Sequence, residues 1–463
     1  MENSLLKIKH RTFSGVARVI DEVTDVVLSW VGNIGKDLSK TQDVSNLLNK
    51  MRECISPKGG EVKARHNTVS LGNLYLQLSD TGKARFLRLL NDHFSSERSD
   101  IELKIREYID NTDDDLEEKL RFDLIAVLCS PRLSILKQFM SLSEGVKFLV
   151  DMRADVITLG KEEGGFFALE RDLKSVLSSL FDVGLLELRH ITWDSPASLL
   201  DKLVIYEAVH AISCWEDLRH RLDYDRRCFA FFHYKVPCEP LIFVEVALLD
   251  EIADNIQELL DYSAPKKDPN DAKVAVFYSI SNTQVGLTGI SLGNFLIKRV
   301  VSRLSSEFPN IKTYVTLSPI PGFTRWLRQK LSMEGDSFLC NFGIFLPVEE
   351  LLSYIDSINS ENEACIPVAV QDMFVKLCAN YLNTKNGSKV IDPVAHFHLS
   401  NGASIKRLNW MADSSEKGIS SSMGIMVNYS YELSKIDDNH ESYVVHGKVM
   451  ASKEVASFFS NLK

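Results

Sequence analysis

The segment from Val274 to Leu304 reads VAVFYSISNTQVGLTGISLGNFLIKRVVSRL. It opens on Val274 to Ile280, a short apolar run rich in β-branched and aromatic residues, which predicts a strand. It closes on Leu292, Leu296, Val300 and Leu304, which recur every four residues and predict a helix over 291–304, stopped by Pro309. Between them, Ser281 to Gly289 carries two glycines, Gly286 and Gly289. A helix start exposes unpaired N–H groups and the positive end of the helix dipole. Glycine lets a phosphate approach those groups closely. Lys298, Arg299 and Arg303 on the same helix add positive charge. The turn is neither a P-loop nor a dinucleotide fingerprint. Taken alone, it is also accounted for as a plain structural connection.

Further strands surround this unit. Leu241 to Leu249 is a second β-rich apolar run, and Tyr262 to Asp271 is a polar loop between the two. Tyr314 to Leu317 predicts the next strand, broken by Pro319 and Pro321. Residues 330–365 pattern weakly and read as inserted helices and loops. Val394 to Leu399 and Ala403 to Trp410, separated by Asn401-Gly402, read as a hairpin. Met423 to Leu433 and Tyr443 to Met450 are also strand candidates.

The first 180 residues differ. Only Pro57 and Pro131 fall there, and the other eleven prolines follow. Long helices exclude proline because it removes a donor and clashes with the preceding turn. Ser79 predicts the cap of a helix over 79–94 carrying Phe86, Leu87, Leu89, Leu90 and Phe94. Thr112 with Asp115 reads as a capping box before Leu116, Leu120 and Leu124. Pro131 suits a first helical turn, and 166–181 reads as a helix with Phe167, Leu173, Val176, Leu177 and Leu180 on its apolar face. The chain therefore divides into an all-helical domain, 1–180, and a mixed α and β domain, 181–463: an α+β protein.

Composition bounds what such a chain does. Its 463 residues are 45% hydrophobic and 25% charged, the profile of a globular protein. No apolar run is long enough for a membrane span. A net charge of −10 disfavours general nucleic-acid binding. The eight cysteines contain no C-x-x-C pair, which reads as free thiols in a reducing compartment, cytoplasmic in kind, with no zinc module. The N-terminus lacks an apolar core, so a secretory signal is not expected; Lys7, Lys9 and Arg11 read as a solvated tail rather than an organelle presequence. Asn461-Leu462-Lys463 is not a peroxisomal address.

Two more segments carry candidate chemistry. Ser318 stands at the carboxyl end of a strand, where open α/β sheets place ligands. By itself it reads as a turn-capping serine. His396 and His398 would share one face of a strand. A metal pair, a single catalytic histidine and a structural histidine all fit that spacing, and no third ligand stands at suggestive distance.

At these segments the sequence resembles malonyl-CoA decarboxylases. The carriers are Phe277 to Ser281 (FYSIS), Gly289 to Val300 (GISLGNFLIKRV), Leu317 to Phe323 (LSPIPGF), His396 to Ala403 (HFHLSNGA), Arg407 to Asp413 (RLNWMAD) and Val427 to Tyr431 (VNYSY). The resemblance implies a helical domain joined to a catalytic domain of acetyltransferase (GNAT) type. It implies Ser318 as proton acceptor or carboxylate-binding group and His398, not His396, as proton donor. It places the coenzyme A pyrophosphate on Thr288, Gly289, Ile290, Ser291, Leu292, Gly293 and Asn294, and a tyrosine near the active site at Tyr431. Many members carry glutamate where this chain has Ser291, which puts the acid–base network in question more than the reaction.

The substrate so implied is malonyl-CoA, with coenzyme A as part of the substrate and no metal or other cofactor. The resemblance also implies a homo-oligomer, in tetramers, and a cytosolic, mitochondrial or peroxisomal setting. Two other readings stay open at this point. One is acyl transfer from an acyl-CoA, which uses the same phosphate-gripping turn. The other is a non-enzymatic coenzyme A sensor or scaffold.

Overall fold

A computed structural model describes residues 34–55, 60–290, 292–358 and 366–459. The basic N-terminal stretch, Ser291, Cys365 and Asn461 to Lys463 lie outside the described residues. Two compact units emerge. The first runs to Leu186 and includes two later segments, His233–Glu239 and Gln284–Ile290; the second holds the remainder.

Helices build the first unit. Ser79 caps Asp80–His93 by accepting from the Gly82 amide, and Pro131 opens Pro131–Gln138, as proline-first helices do. Between them run Arg98–Ile109 and Asp114–Leu128. The last is capped by Asp113, one residue after the expected Thr112, because the Asp113 carboxylate reaches the Asp115 amide. Gly145–Glu163 and Phe167–Leu180 follow. The last buries Leu169, Leu173, Val176 and Leu177, whereas Phe167, expected on that face, is exposed.

The second unit is built on a mixed sheet. Its strands are β1 (Leu186–Ile191), β2 (Arg226–His233), β3 (Ile242–Leu249), β4 (Val274–Asn282), β5 (Thr313–Thr316) and β6 (Ser318–Pro319). After a small ribbon of β7 (Lys385–Asn386) and β8 (Lys389–Val390) come β9 (Ser404–Asn409) and β10 (Met426–Ser430). Their order is β1-β2-β3-β4-β5-β10-β6, with β9 on β10. β4 and β5 run parallel, from Val274↔Thr313 to Phe277↔Thr316. Their crossover contains the helix Gly293–Glu307. One face of the sheet packs Val276, Tyr278, Val315, Leu317 and Met426 into a core.

Two expectations fail here. Val394 to Leu399 is not a strand: Pro393–Ser400 is a helix, capped by Asp392 with Pro393 in its first turn. Its buried residues, Ala395, His398 and Leu399, lie three and four apart on one helical face. Tyr443 to Met450 begins inside another helix, Ile436–His446, whose Tyr443 is buried. Gly402 follows the first of these helices with φ 81°, and an added β-carbon there would meet the Ile436 carbonyl oxygen at 2.1 Å. Gly402→Ala is therefore expected to cost about 1–3 kcal/mol or more in urea unfolding, well outside the roughly 0.5 kcal/mol of ordinary surface changes.

Candidate active site

β5 pairs with β4 only to Thr316, after which the Leu317 amide donates once more to the Phe277 carbonyl, at 2.9 Å. The chain then changes partner: Ser318 and Pro319 pair with Val427 and Met426 of β10. Pro319 and Pro321 bring no amide donor, so neither can donate a ladder hydrogen bond. Gly322 completes the exit. A β-carbon there would lie 2.3 Å from the Tyr381 hydroxyl, so no larger residue fits without displacing that ring. Tyr381 in turn donates to Asp392 at 3.1 Å. One carboxylate thus caps the His398 helix and holds the tyrosine packed on the Ser318 turn.

Ser318 and His398 meet. The Ser318 Oγ lies 3.1 Å from His398 Nε2, across 80 residues of chain, and both side chains are buried. On the other side of the ring, Nδ1 lies 2.7 Å from the Tyr431 hydroxyl. The ring stacks on Tyr429, centroids 4.4 Å apart. His396 takes no part. Two residues apart on a helix is about 200°, so it faces away, and its Nδ1 meets Tyr443 at 2.8 Å. The expected shared face of the two histidines is thereby corrected: it required a strand.

Hydrogen-bond directions assign the ring's tautomer. Ser318 donates its proton to Thr316 Oγ1 at 2.9 Å. Its lone pair therefore faces Nε2, which must carry the hydrogen, and bare Nδ1 accepts from Tyr431. Burial pushes the His398 pKa down to about 3 and the Tyr431 hydroxyl well above its ordinary 10. Both groups are uncharged at rest near neutral pH.

Sequence reasoning passed over the supports of this chain of bonds. Thr316 also accepts from the Tyr429 amide at 3.1 Å. Asn428 is fully buried and donates to the carbonyls of Thr316, at 2.7 Å, and Ala253, at 3.1 Å. It accepts from Asn409 at 2.8 Å. The spacing of Thr316 and Ser318, two apart at a strand end, was a usable signal for a shared face. So was Asp392-Pro393 as a helix start. Nothing local marked Asn428.

The turn expected to hold phosphate lies partly in each unit. Thr288, Gly289 and Ile290 belong to the helical unit; Leu292, Gly293 and Asn294 lead into the helix of the second. Ser291 lies outside the described residues.

Comparison with known proteins places this arrangement. A family model described as the malonyl-CoA decarboxylase C-terminal domain matches residues 184–462, and its N-terminal counterpart matches 94–181. Among curated relatives, the mitochondrial malonyl-CoA decarboxylase of Rattus norvegicus is 41% identical over 376 residues, covering 75% of each chain. That of Mus musculus is 39% identical, over 75% of this chain and 74% of its own. A solved malonyl-CoA decarboxylase from Rhodopseudomonas palustris matches with a TM-score of 0.82 at 35% identity, over 89% of this chain and 99% of that one. The Agrobacterium vitis structure gives 0.81, also at 35% identity, over 89% of this chain and 99% of that one. A helical region, a mixed α/β domain and these likenesses define an enzyme of the carboxy-lyase class. The chain belongs to the malonyl-CoA decarboxylase family.

The buried ring makes folding pH-dependent. Unfolded histidine takes its proton near pH 6.5, whereas folded His398 resists to about pH 3. Between those values the unfolded chain binds the extra proton, so stability is lost as pH falls from about 6.5 toward 3. His398→Gln removes that contribution. Urea midpoints at pH 7 and pH 5 are expected to differ less in the variant than in the parent; an equal difference contradicts the buried neutral ring.

Proposed function

We propose that Ser318, His398 and Tyr431 carry out the decarboxylation of malonyl-CoA to acetyl-CoA and carbon dioxide. The observation that carries this reading is the hydrogen-bonded sequence Tyr431–His398–Ser318 at the strand end. Malonyl-CoA contains its own electron sink, the thioester carbonyl. Electrons of the breaking C–C bond flow into it, carbon dioxide leaves, and the resulting enolate takes one proton at its α-carbon. Chemically this requires no metal, biotin or pyridoxal. The protein must hold the carboxylate out of the thioester plane, a positioning task. It must also aim donors at the enolate oxygen, each worth about 3 kcal/mol.

The neutral ring supports a particular proton route. An arriving carboxylate beside His398 raises its pKa, so the ring takes up the proton that the reaction consumes. Tyr431 serves both ring states, since a phenol hydroxyl donates or accepts. Ser318 holds the departing carboxylate or passes the Nε2 proton to the enolate. Thr288 to Asn294 is the segment that the family likeness assigns to the coenzyme A pyrophosphate.

Purified chain mixed with malonyl-CoA alone is expected to release acetyl-CoA and carbon dioxide in equal amounts. A strict need for an amine acceptor would favour acyl transfer, and binding without product a sensor. Ser318→Ala and His398→Ala should each lower kcat at least about 10²-fold, the low end of a general acid's effect. Near-normal turnover by the folded variants would refute the assignment.

The helical domain, 1–180, supports self-association. The helices Arg98–Ile109 and Asp114–Leu128 bury no residue of their own, and Leu103, Ile109, Phe122, Ile125 and Leu128 are all at least half exposed. Such a run of large apolar side chains on one helix pair marks an interface. We assign it to a second copy of the chain, with the tetramer as the expected assembly. Phe122→Glu with Ile125→Lys should lower the sedimentation coefficient by at least one assembly step; an unchanged value removes the hairpin from the interface.

A further inference from the structure

The glycine turn Gln284–Ile290 belongs to the helical unit and packs closely within it. The Arg153 guanidinium, paired with Glu170 at 2.6 Å, also donates to the Gly286 carbonyl at 2.6 Å. A β-carbon on Gly286 would lie 1.8 Å from the Val150 carbonyl oxygen, so the turn lies directly on the helix Gly145–Glu163. Three residues on, Gly289 is exposed, with φ 74°. Its amide donates to no described group, while its neighbours Thr288 and Ile290 close back on Val285 and Leu287. A β-carbon there would meet one atom first: Lys174 Nζ, at 3.2 Å.

Lys174 sits on the helix Phe167–Leu180, which buries Leu173, Val176 and Leu177 around it. Among the described residues no carboxylate pairs with it, although neighbouring Asp172 is held by Arg132 at 2.6 Å. A half-buried ammonium without a counter-ion therefore stands over an unpaired amide in a left-handed glycine turn. Lysine is a compact charge suited to phosphate.

We propose that Lys174 is a phosphate ligand of the substrate's coenzyme A moiety, joining the unpaired amide of Gly289. This inference rests on the reading of that turn as the pyrophosphate site. The ligand chemistry is a phosphate ester carried by a thioester substrate. The helical unit thereby acts in substrate binding as well as in assembly. The lysine lies in sequence outside the C-terminal family domain that contains the turn.

Substrates with and without phosphate separate the possibilities. Lys174→Met keeps the apolar stem and removes the charge. Its KM for malonyl-CoA should rise roughly tenfold with kcat nearly unchanged, the loss of one charge-assisted contact. Lys174→Arg should retain most of the affinity. With malonyl-pantetheine, which has no phosphate, Lys174→Met and the parent should have equal KM values. Gly289→Asp probes the turn together with its lysine, since aspartate tolerates positive φ and repels phosphate. If Gly289→Asp raises KM for malonyl-CoA but Lys174→Met does not, the turn binds phosphate without the lysine and the proposal is overturned. If neither raises it, the phosphate reading of the turn falls and this inference with it. An equal rise with both substrates for Lys174→Met would also overturn it, by showing a structural effect. Thermal midpoints of the variants monitor folding.

Discussion

The departure of the chain from β4 after Thr316 governs the site. In a parallel pair, hydrogen bonds are evenly spaced and would continue for as long as both backbones stay extended. Here Pro319 and Pro321 remove donors, and β10 offers Ser318 and Pro319 an antiparallel partner. Asn428 stabilises the parting by donating to the Thr316 carbonyl and to the Ala253 carbonyl. A serine that would otherwise continue the pairing with β4 moves to β10, with its oxygen toward an imidazole from a different part of the chain.

Burial then sets the electrostatics. A histidine taken out of water without a carboxylate partner cannot hold charge, and His398 is shifted by desolvation alone. Its resting state differs from that of a serine hydrolase. There the imidazole presents a bare nitrogen to the serine proton; here Ser318 gives its proton to Thr316 and accepts from the ring. That polarity suits a group which supplies a proton rather than one which removes it. In the proposed mechanism the charge that makes the ring an acid comes with the anionic substrate, so proton uptake and substrate binding would be linked events.

The support around the site is shared between layers. Asp392 caps the start of one helix and anchors the Tyr381 hydroxyl, and Tyr381 in turn leaves room only for glycine at 322. Gly286 is held as tightly against Val150 in the helical unit. Both glycines are needed for space rather than for left-handed backbone. Their positions tie each functional turn to an element distant in sequence.

Much of this was legible locally. The β4 run, the glycine turn and the helix after it follow from period, β-branching and proline position, which are properties of neighbouring residues. The helical character of the first 180 residues follows likewise from scarce proline and from caps such as Ser79. The family motifs pointed to Ser318, His398 and Tyr431. The segment 394–399 misread as a strand shows the boundary of that method. VAHFHL alternates like a strand from Ala395 onward, yet Asp392 and Pro393 start a helix whose buried residues, Ala395, His398 and Leu399, lie three and four apart. Sequence by itself therefore determined element types wherever one face meets solvent, and the residue classes able to do the chemistry. The motifs already favoured His398 over His396; tertiary structure alone decided that its ring lies against Ser318, that the ring is neutral, and that Thr316 and Asn428 set its partner's direction. Those outcomes depend on burial and on hydrogen bonds between residues far apart in the chain, and no local pattern of side chains encodes them.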